Sequence, residues 1–219
     1  MATRWYIGEI ADAVYKEFAR RSEMYEQEQS VRGLDSLDEL AHHVIIQAGL
    51  RQGGFGVYPE ERYPKDAGRR KRSEGDRCDV VLTADSGQLA DPGAADTLFA
   101  ELDAVPPDEA FWLEVKTVRQ FTAEGPNPAY SAELSTRLRS DVAKLVRDRA
   151  IRHAGLLVMM YVSDQMVASH DLQVWERSCS ERGLPIGVPS LRWVSIGDRI
   201  GHLWVGIAVY PVIRTAVVE

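Results

Sequence analysis

Apolar and polar positions alternate along this chain with two rhythms. Ile7, Ile10, Ala11, Val14 and Phe18 recur at helical spacing among charged residues, which predicts an amphipathic helix over 5–27. Gly33 interrupts it. Ser36-Leu37-Asp38-Glu39 then reads as a capping box opening a second helix, with Leu37, Leu40, Val44 and Leu50 on its apolar side, until glycines end it across 49–56. Residues 55–63 have strand character, and Pro59 marks them as an edge strand or an irregular one. Two short apolar runs, Arg77-Cys78-Asp79-Val80-Val81-Leu82 and Phe111-Trp112-Leu113-Glu114-Val115-Lys116-Thr117-Val118, predict buried strands that carry charge. A long helix follows over 131–152, with Leu134, Leu138, Val142 and Leu145 along one side. Residues 156–162 are apolar throughout, as expected of a strand covered on both faces. A helix over 165–182 leads to strands over 192–196 and 203–212, paired as a hairpin.

Between these elements lie three polar segments. Residues 64–76 contain Arg69-Arg70-Lys71-Arg72 and read as a loop. Residues 85–109 hold Asp85, Asp91, Asp96, Glu101, Asp103, Asp108 and Glu109 with no basic residue, an inserted loop with one short helix around 94–102. Residues 122–128 are rich in turn formers. No repeat or low-complexity linker divides the chain, so 219 residues are expected to form one α/β domain: an N-terminal helical extension (1–34), a core (35–163) and a C-terminal helix and hairpin (164–219).

Composition narrows the function classes. Hydrophobic content of 45% and charged content of 27% are ordinary for a globular protein. A formal net charge of -7 argues against broad, non-specific adhesion to nucleic acid or anionic membrane, although a local basic patch is compatible with it. Cys78 and Cys179 match neither a zinc spacing nor a disulfide framework, which points to a reducing, cytoplasmic setting. The first residues lead into charge instead of an apolar leader, and no apolar stretch reaches the roughly 20 residues that span a bilayer. A soluble protein without membrane partners is the expectation.

The charged strands carry the chemistry. An ionised carboxylate inside a core strand costs several kcal/mol unless a positive charge meets it. In a strand, residues i and i+2 share a face, so Glu114 and Lys116 project together while Leu113 and Val115 pack behind them. If the two strands are neighbours, the carboxylates of Asp79 and Glu114 and the backbone carbonyl of Val115 converge on one cation. Such hard oxygen ligands favour Mg²⁺ or Mn²⁺ over Zn²⁺. Lys116 beside them suits the orientation of an attacking water and the offsetting of charge on a phosphorus centre.

With the order helix, strand, Asp-strand, Glu-x-Lys strand, helix, strand, residues 36–162 resemble the PD-(D/E)XK, restriction-endonuclease-like nuclease superfamily. The resemblance implies an αβββαβ core with a mixed central sheet flanked by helices, here with an added N-terminal helix and a C-terminal β-hairpin. It implies a divalent-metal-dependent endonuclease acting on DNA phosphodiester bonds. Asp79, Glu114 and Lys116 match the family's catalytic set, Glu39 matches the additional acid that many members carry, and Asp141-Val142-Ala143-Lys144-Leu145 looks like its later core helix. Two departures stand out: Cys78 occupies the place of the motif's proline, and the acidic insert makes the gap from Asp79 to Glu114 long. Cutting both strands of a duplex needs two such sites, so a homodimer fits.

Each residue also has a plainer reading. Asp79 with Glu114 and Lys116 also suits a cross-strand ion pair worth roughly 0.2–1 kcal/mol. Glu39 sits where a capping glutamate is expected, and Lys144 pairs with Asp141 or Asp148 along a solvated helix face or contacts phosphate. Arg69, Arg70, Lys71 and Arg72 form either a solvated loop or a DNA-backbone contact. Glu39-x-x-His42 lacks the second copy that a di-iron bundle requires. Ser169-His170-Asp171 are neighbours in sequence, which a catalytic triad is not. Two further functions stay open. One is a catalytically silent interaction module with a protein partner on the apolar C-terminal hairpin around Trp204, Val205, Ile207, Val209 and Tyr210; the other is a ribonuclease using the same residues.

Overall fold

A computed structural model describes residues 4–66, 75–91 and 103–213. Helix α1 (Ile7–Gln27) is followed by a 3-10 turn at Leu34–Ser36, helix α2 (Glu39–Gln52) and strands β1 (Gly56–Arg62), β2 (Arg77–Thr83) and β3 (Phe111–Arg119). A small ribbon, β4 (Phe121–Thr122) and β5 (Gly125–Pro126), leads into a helical run composed of α3 (Tyr130–Ala132), a π segment (Glu133–Arg137) and α4 (Leu138–Arg147). Strand β6 (His153–Val162), helix α5 (Gln165–Glu181) and strands β7 (Ser190–Ser195) and β8 (Trp204–Val212) complete the chain order.

Six strands form one mixed sheet in the order β1-β2-β3-β6-β8-β7, with β3 and β6 parallel and the other neighbours antiparallel. Pro59 lies in β1, an edge strand, where a residue without an N–H donor is tolerated. Strand β6 shows why its sequence is apolar throughout. Leu156, Val158, Met160 and Val162 enter the core shared with α4 and α5. Leu157, Met159 and Tyr161 enter the core shared with α1 and α2. Helices therefore cover both faces of the sheet.

Helix α2 departs from its sequence pattern. Asp38 caps it, its carboxylate accepting the Ala41 N–H at 2.8 Å, while Ser36 belongs to the preceding 3-10 turn. The buried side is His42, Ile45, Ile46, Gly49 and Leu50, so Leu40 and Val44 are 74% and 56% exposed. His42, Ile45, Ile46, Gly49 and Leu50 themselves form an i, i+3, i+4, i+7, i+8 stripe, and it is this one that packs on α1 and the sheet. Gly49 lies against α1, where an added Cβ would come within 2.7 Å of the Ala13 carbonyl oxygen.

The helical run from Tyr130 stops at Arg147, five residues before the 152 expected from the pattern. Asp148 takes extended backbone (φ -85°, ψ 109°), and its buried carboxylate accepts the N–H groups of Lys65 and Ala150 at 2.8 and 3.0 Å. The apolar C-terminal hairpin is also placed differently from the partner-facing surface considered above. Val205, Ile207, Val209 and Tyr210 are buried in the chain's own core, because β8 is an interior strand between β6 and β7. Among the described residues, no helix is long and apolar enough to cross a membrane. Arg69, Arg70, Lys71 and Arg72 and the short helix expected near 94–102 lie outside the described residues.

A buried polar cluster fixes the segment between α1 and α2 to the sheet. His202 Nδ1 lies 3.1 Å from Asp35 Oδ2, and its Nε2 accepts the Phe121 N–H at 3.1 Å. His42 Nε2 lies 2.7 Å from the Tyr161 hydroxyl. Arg119 donates to the carbonyls of Asp35 and Leu37 and stands over the Tyr161 ring.

Candidate functional site

Strands β2 and β3 are neighbours, and their ladder runs from Leu82–Phe111 to Val80–Leu113. One further step in register sets Asp79 opposite Glu114. There the Asp79 side chain takes over from the backbone, its Oδ2 accepting the Val115 N–H at 2.7 Å. Val115 thus meets Asp79 through its amide.

Glu114 has none of its surface exposed, and its side chain lies on the α4 side of the sheet. Its Oε1 accepts the Tyr63 hydroxyl at 2.5 Å. Among the described residues its Oε2 has no hydrogen-bond donor, and it lies 3.7 Å from Lys144 Nζ. Tyr63 is buried and stacked on Trp112, with centroids 5.6 Å apart, so its hydroxyl is held toward Glu114. Burial, reinforced by the Asp79 charge, pushes Glu114 up to about 8 even though Tyr63 and Lys144 pull the other way. Negative charge in this site exceeds what its cations offset.

Asp141, only 4% exposed, is the third carboxylate here. Its Oδ2 lies 3.6 Å from Lys116 Nζ, and its Oδ1 lies 3.3 Å from Lys144 Nζ. Oδ2 is buried without a hydrogen-bond donor. Burial pulls the Lys144 ammonium down, but Glu114 and Asp141 outweigh it and leave the group above its ordinary value. The acid of α4 therefore bridges the two lysines, and each lysine faces carboxylate.

The structure brings together Asp79, Glu114, Val115, Lys116 and Lys144 from the sequence reading and adds Tyr63 and Asp141. Lys144 does pair with Asp141, but toward the sheet instead of along a solvated face. Glu39 is not brought in. It is exposed in the first turn of α2, whose apolar side packs on the face of the sheet opposite Glu114. Asp141 had a signal in the sequence, since an acid three residues after Leu138 and four before Leu145 stands in the buried stripe. Tyr63 had none, because it follows the strand and contacts Glu114 51 residues away. Cys78, in the place of the motif's proline, is fully buried, and burial raises its thiol well above the ordinary value, which suits packing and not nucleophilic chemistry.

Among the described residues, no group of three or more His, Cys, Asp and Glu side chains is arranged as a metal cage. The pair of Asp79 and Glu114 meets a smaller demand. Mg²⁺ is commonly held by one or two carboxylates, with waters and substrate phosphate completing its shell. An all-oxygen donor set with surplus negative charge and the orphaned Oε2 of Glu114 fits such an ion. No family model matches the chain, and no curated protein or solved structure matches it either.

Proposed function

We propose that the protein is a divalent-metal-dependent nuclease of the PD-(D/E)XK kind, hydrolysing phosphodiester bonds in DNA. One observation carries the reading: Asp79 and the Glu114-x-Lys116 pair meet on adjacent strands where the ladder ends, and Glu114 keeps a buried carboxylate oxygen, Oε2, without a donor among the described residues. The chain order α2-β1-β2-β3-α4-β6, with β3 parallel to β6, agrees with the αβββαβ core that the sequence resemblance implies. An isolated structural ion pair has no need of three carboxylates crowded around two lysines.

Asp79 and Glu114 would hold Mg²⁺ or Mn²⁺, with the Val115 carbonyl as the remaining backbone oxygen nearby. Bound there, the ion supplies Lewis acidity toward the phosphoryl oxygens and the attacking water. Tyr63 fixes Glu114 through Oε1 and leaves Oε2 as the free ligand oxygen. Lys116, held by Asp141, orients the water and offsets charge developing on the attacked phosphate. Nucleic acid as substrate is supported by the helix over the site. The helix and the residues that follow it, 133–152, carry Arg137, Arg139, Lys144, Arg147, Arg149 and Arg152 against Glu133, Asp141 and Asp148, within a chain of net charge -7, although Arg137 is paired with Glu133 and Arg152 with Asp108.

The test is cleavage of plasmid, single-stranded DNA and RNA with Mg²⁺, Mn²⁺ or EDTA, run beside Glu114→Ala and Lys116→Ala. Metal-dependent cutting of DNA that falls at least about a hundredfold in both variants is the expected result. Cutting of RNA alone would move the substrate class. No cutting by the folded wild type under any condition would turn the reading toward a silent module of the same fold.

A further inference from the structure

The geometry points to a second role inside this centre: the Lys144 ammonium is a built-in counter-ion that occupies the ligand side of Glu114 in the metal-free protein, so a divalent ion enters by exchange with it. This inference rests on the nuclease reading of the site and adds how that site is kept folded and opened. Among the described residues, Lys144 Nζ is the cation within ion-pair reach of Glu114 Oε2, at 3.7 Å, the oxygen that Tyr63 leaves without a donor. That spacing balances charge without making a hydrogen bond, so the contact is one the lysine can give up. A destination is already present. Asp141 Oδ1 lies 3.3 Å from the same ammonium, and the Lys144 side chain is 31% exposed, which leaves it room to swing away from Glu114. Lys116 does not compete for this place, because it is engaged by the other oxygen of Asp141 at 3.6 Å.

A buried carboxylate with no cation beside it is strongly unfavourable. Without metal, Lys144 offsets part of that cost whenever Glu114 ionises, pulling it toward the charged form against burial, at a local concentration that no dissolved salt reaches. Metal and ammonium then exclude one another at Oε2. Loading frees Lys144 from Glu114 and leaves it on Asp141 alone, the acid that also holds Lys116. In this scheme Lys144 and Asp141 are positioning residues, acting on Glu114 and Lys116.

The experiment is calorimetric titration of the folded wild type, Lys144→Met and Lys144→Arg with Mn²⁺ alone, with thermal melts of each protein with and without Mn²⁺ and a parallel plasmid-cleavage assay. Removing a competing positive charge tightens Mn²⁺ binding in Lys144→Met by about tenfold or more, while Lys144→Arg, which keeps the charge, stays near wild type. Without metal, Lys144→Met melts below wild type, and Mn²⁺ raises its melting temperature by more than it raises the wild type's. Equal or weaker Mn²⁺ affinity in Lys144→Met overturns the exchange, as a merely structural ion pair predicts. If Lys144→Met does not fold, Lys144→Gln takes its place and is judged by the same affinity. Tighter binding in the charge-removed variant with no cleavage by any protein supports the exchange and removes the nuclease reading. Cleavage with unchanged affinities does the reverse, and absence of Mn²⁺ binding in all three proteins overturns both.

Discussion

Glu114 titrates near 4.5 in an unfolded chain but is pushed up to about 8 in the metal-free fold, chiefly by burial and then by Asp79. The folded state thus binds the proton more tightly, and stability falls as pH rises from 4.5 through about 8. His42 acts at the other end of the range. Burial, with Arg119 nearby, lowers it from 6.5 to about 4, so the stability it supports above 6.5 is lost as pH falls toward 4. Thermal melts in EDTA across roughly pH 5 to 9 are expected to show wild type losing ground to Glu114→Gln as pH rises, with the two closest at the acid end. Parallel profiles would mean that Glu114 is not held protonated. The central residues were legible in the sequence because a carboxylate in an apolar run is costly and i, i+2 spacing gives its direction. Tyr63 was not, since a contact closed across 51 residues leaves no local pattern.

At the scale of elements, the α1–α2 contact depends on Gly49. A Cβ there meets the Ala13 carbonyl oxygen at 2.7 Å and Glu17 Cβ at 3.0 Å, and the first of these is backbone that cannot turn aside. Alanine in a helix gains up to about 1 kcal/mol over glycine, whereas overpacking a fixed contact costs typically about 1–3 kcal/mol. The clash therefore outweighs the propensity, and Gly49→Ala is expected to lower stability in urea unfolding by about 1 kcal/mol; an unchanged midpoint would show that the helices separate freely. The strands were the easily read elements. The β6 run is buried on both faces, which is why it reads as continuously apolar. Helix α2 was harder, because its apolar residues spread over two neighbouring stripes, Leu40 with Val44 and Ile45 with Ile46, and only packing on α1 and the sheet selects the second. The π segment likewise left no readable mark, since its extra residue keeps Leu134 and Leu138 buried as an ordinary helix would.

For the whole molecule, charge is unevenly placed. The chain is acidic, yet Arg147 and Arg149 stand exposed just beyond Lys144, at the end of the helix that covers the site. On the nuclease reading proposed above, these exposed arginines are candidates to contact the nucleic-acid backbone. Reversing both, as Arg147→Glu with Arg149→Glu, is expected to weaken duplex binding and to flatten the log–log salt dependence by about 1.8, which is two phosphate contacts at roughly 0.9 each. Fluorescence anisotropy over a salt series checks this, and an unchanged slope would place the backbone elsewhere.

The two strands that carry the site are joined by residues 84–110, a connection of 27 residues between Thr83 and Phe111. Closing it costs about 1.7 kcal/mol more than closing a four-residue hairpin loop, from the logarithmic dependence on length. The reward is small, because β2 and β3 pair only from Leu82–Phe111 to Val80–Leu113, whereas β3 and β6 pair from Phe111–His153 through Arg119–Tyr161. The β1–β2 pair is therefore expected to dock late and open early relative to β3 and β6, which amide hydrogen exchange checks: protection in β1 and β2 as strong as in β6 would overturn it. An ion gripping both Asp79 and Glu114 would act as a clasp across that seam, so the folded lifetime of this end of the sheet would depend on the metal supply of its surroundings.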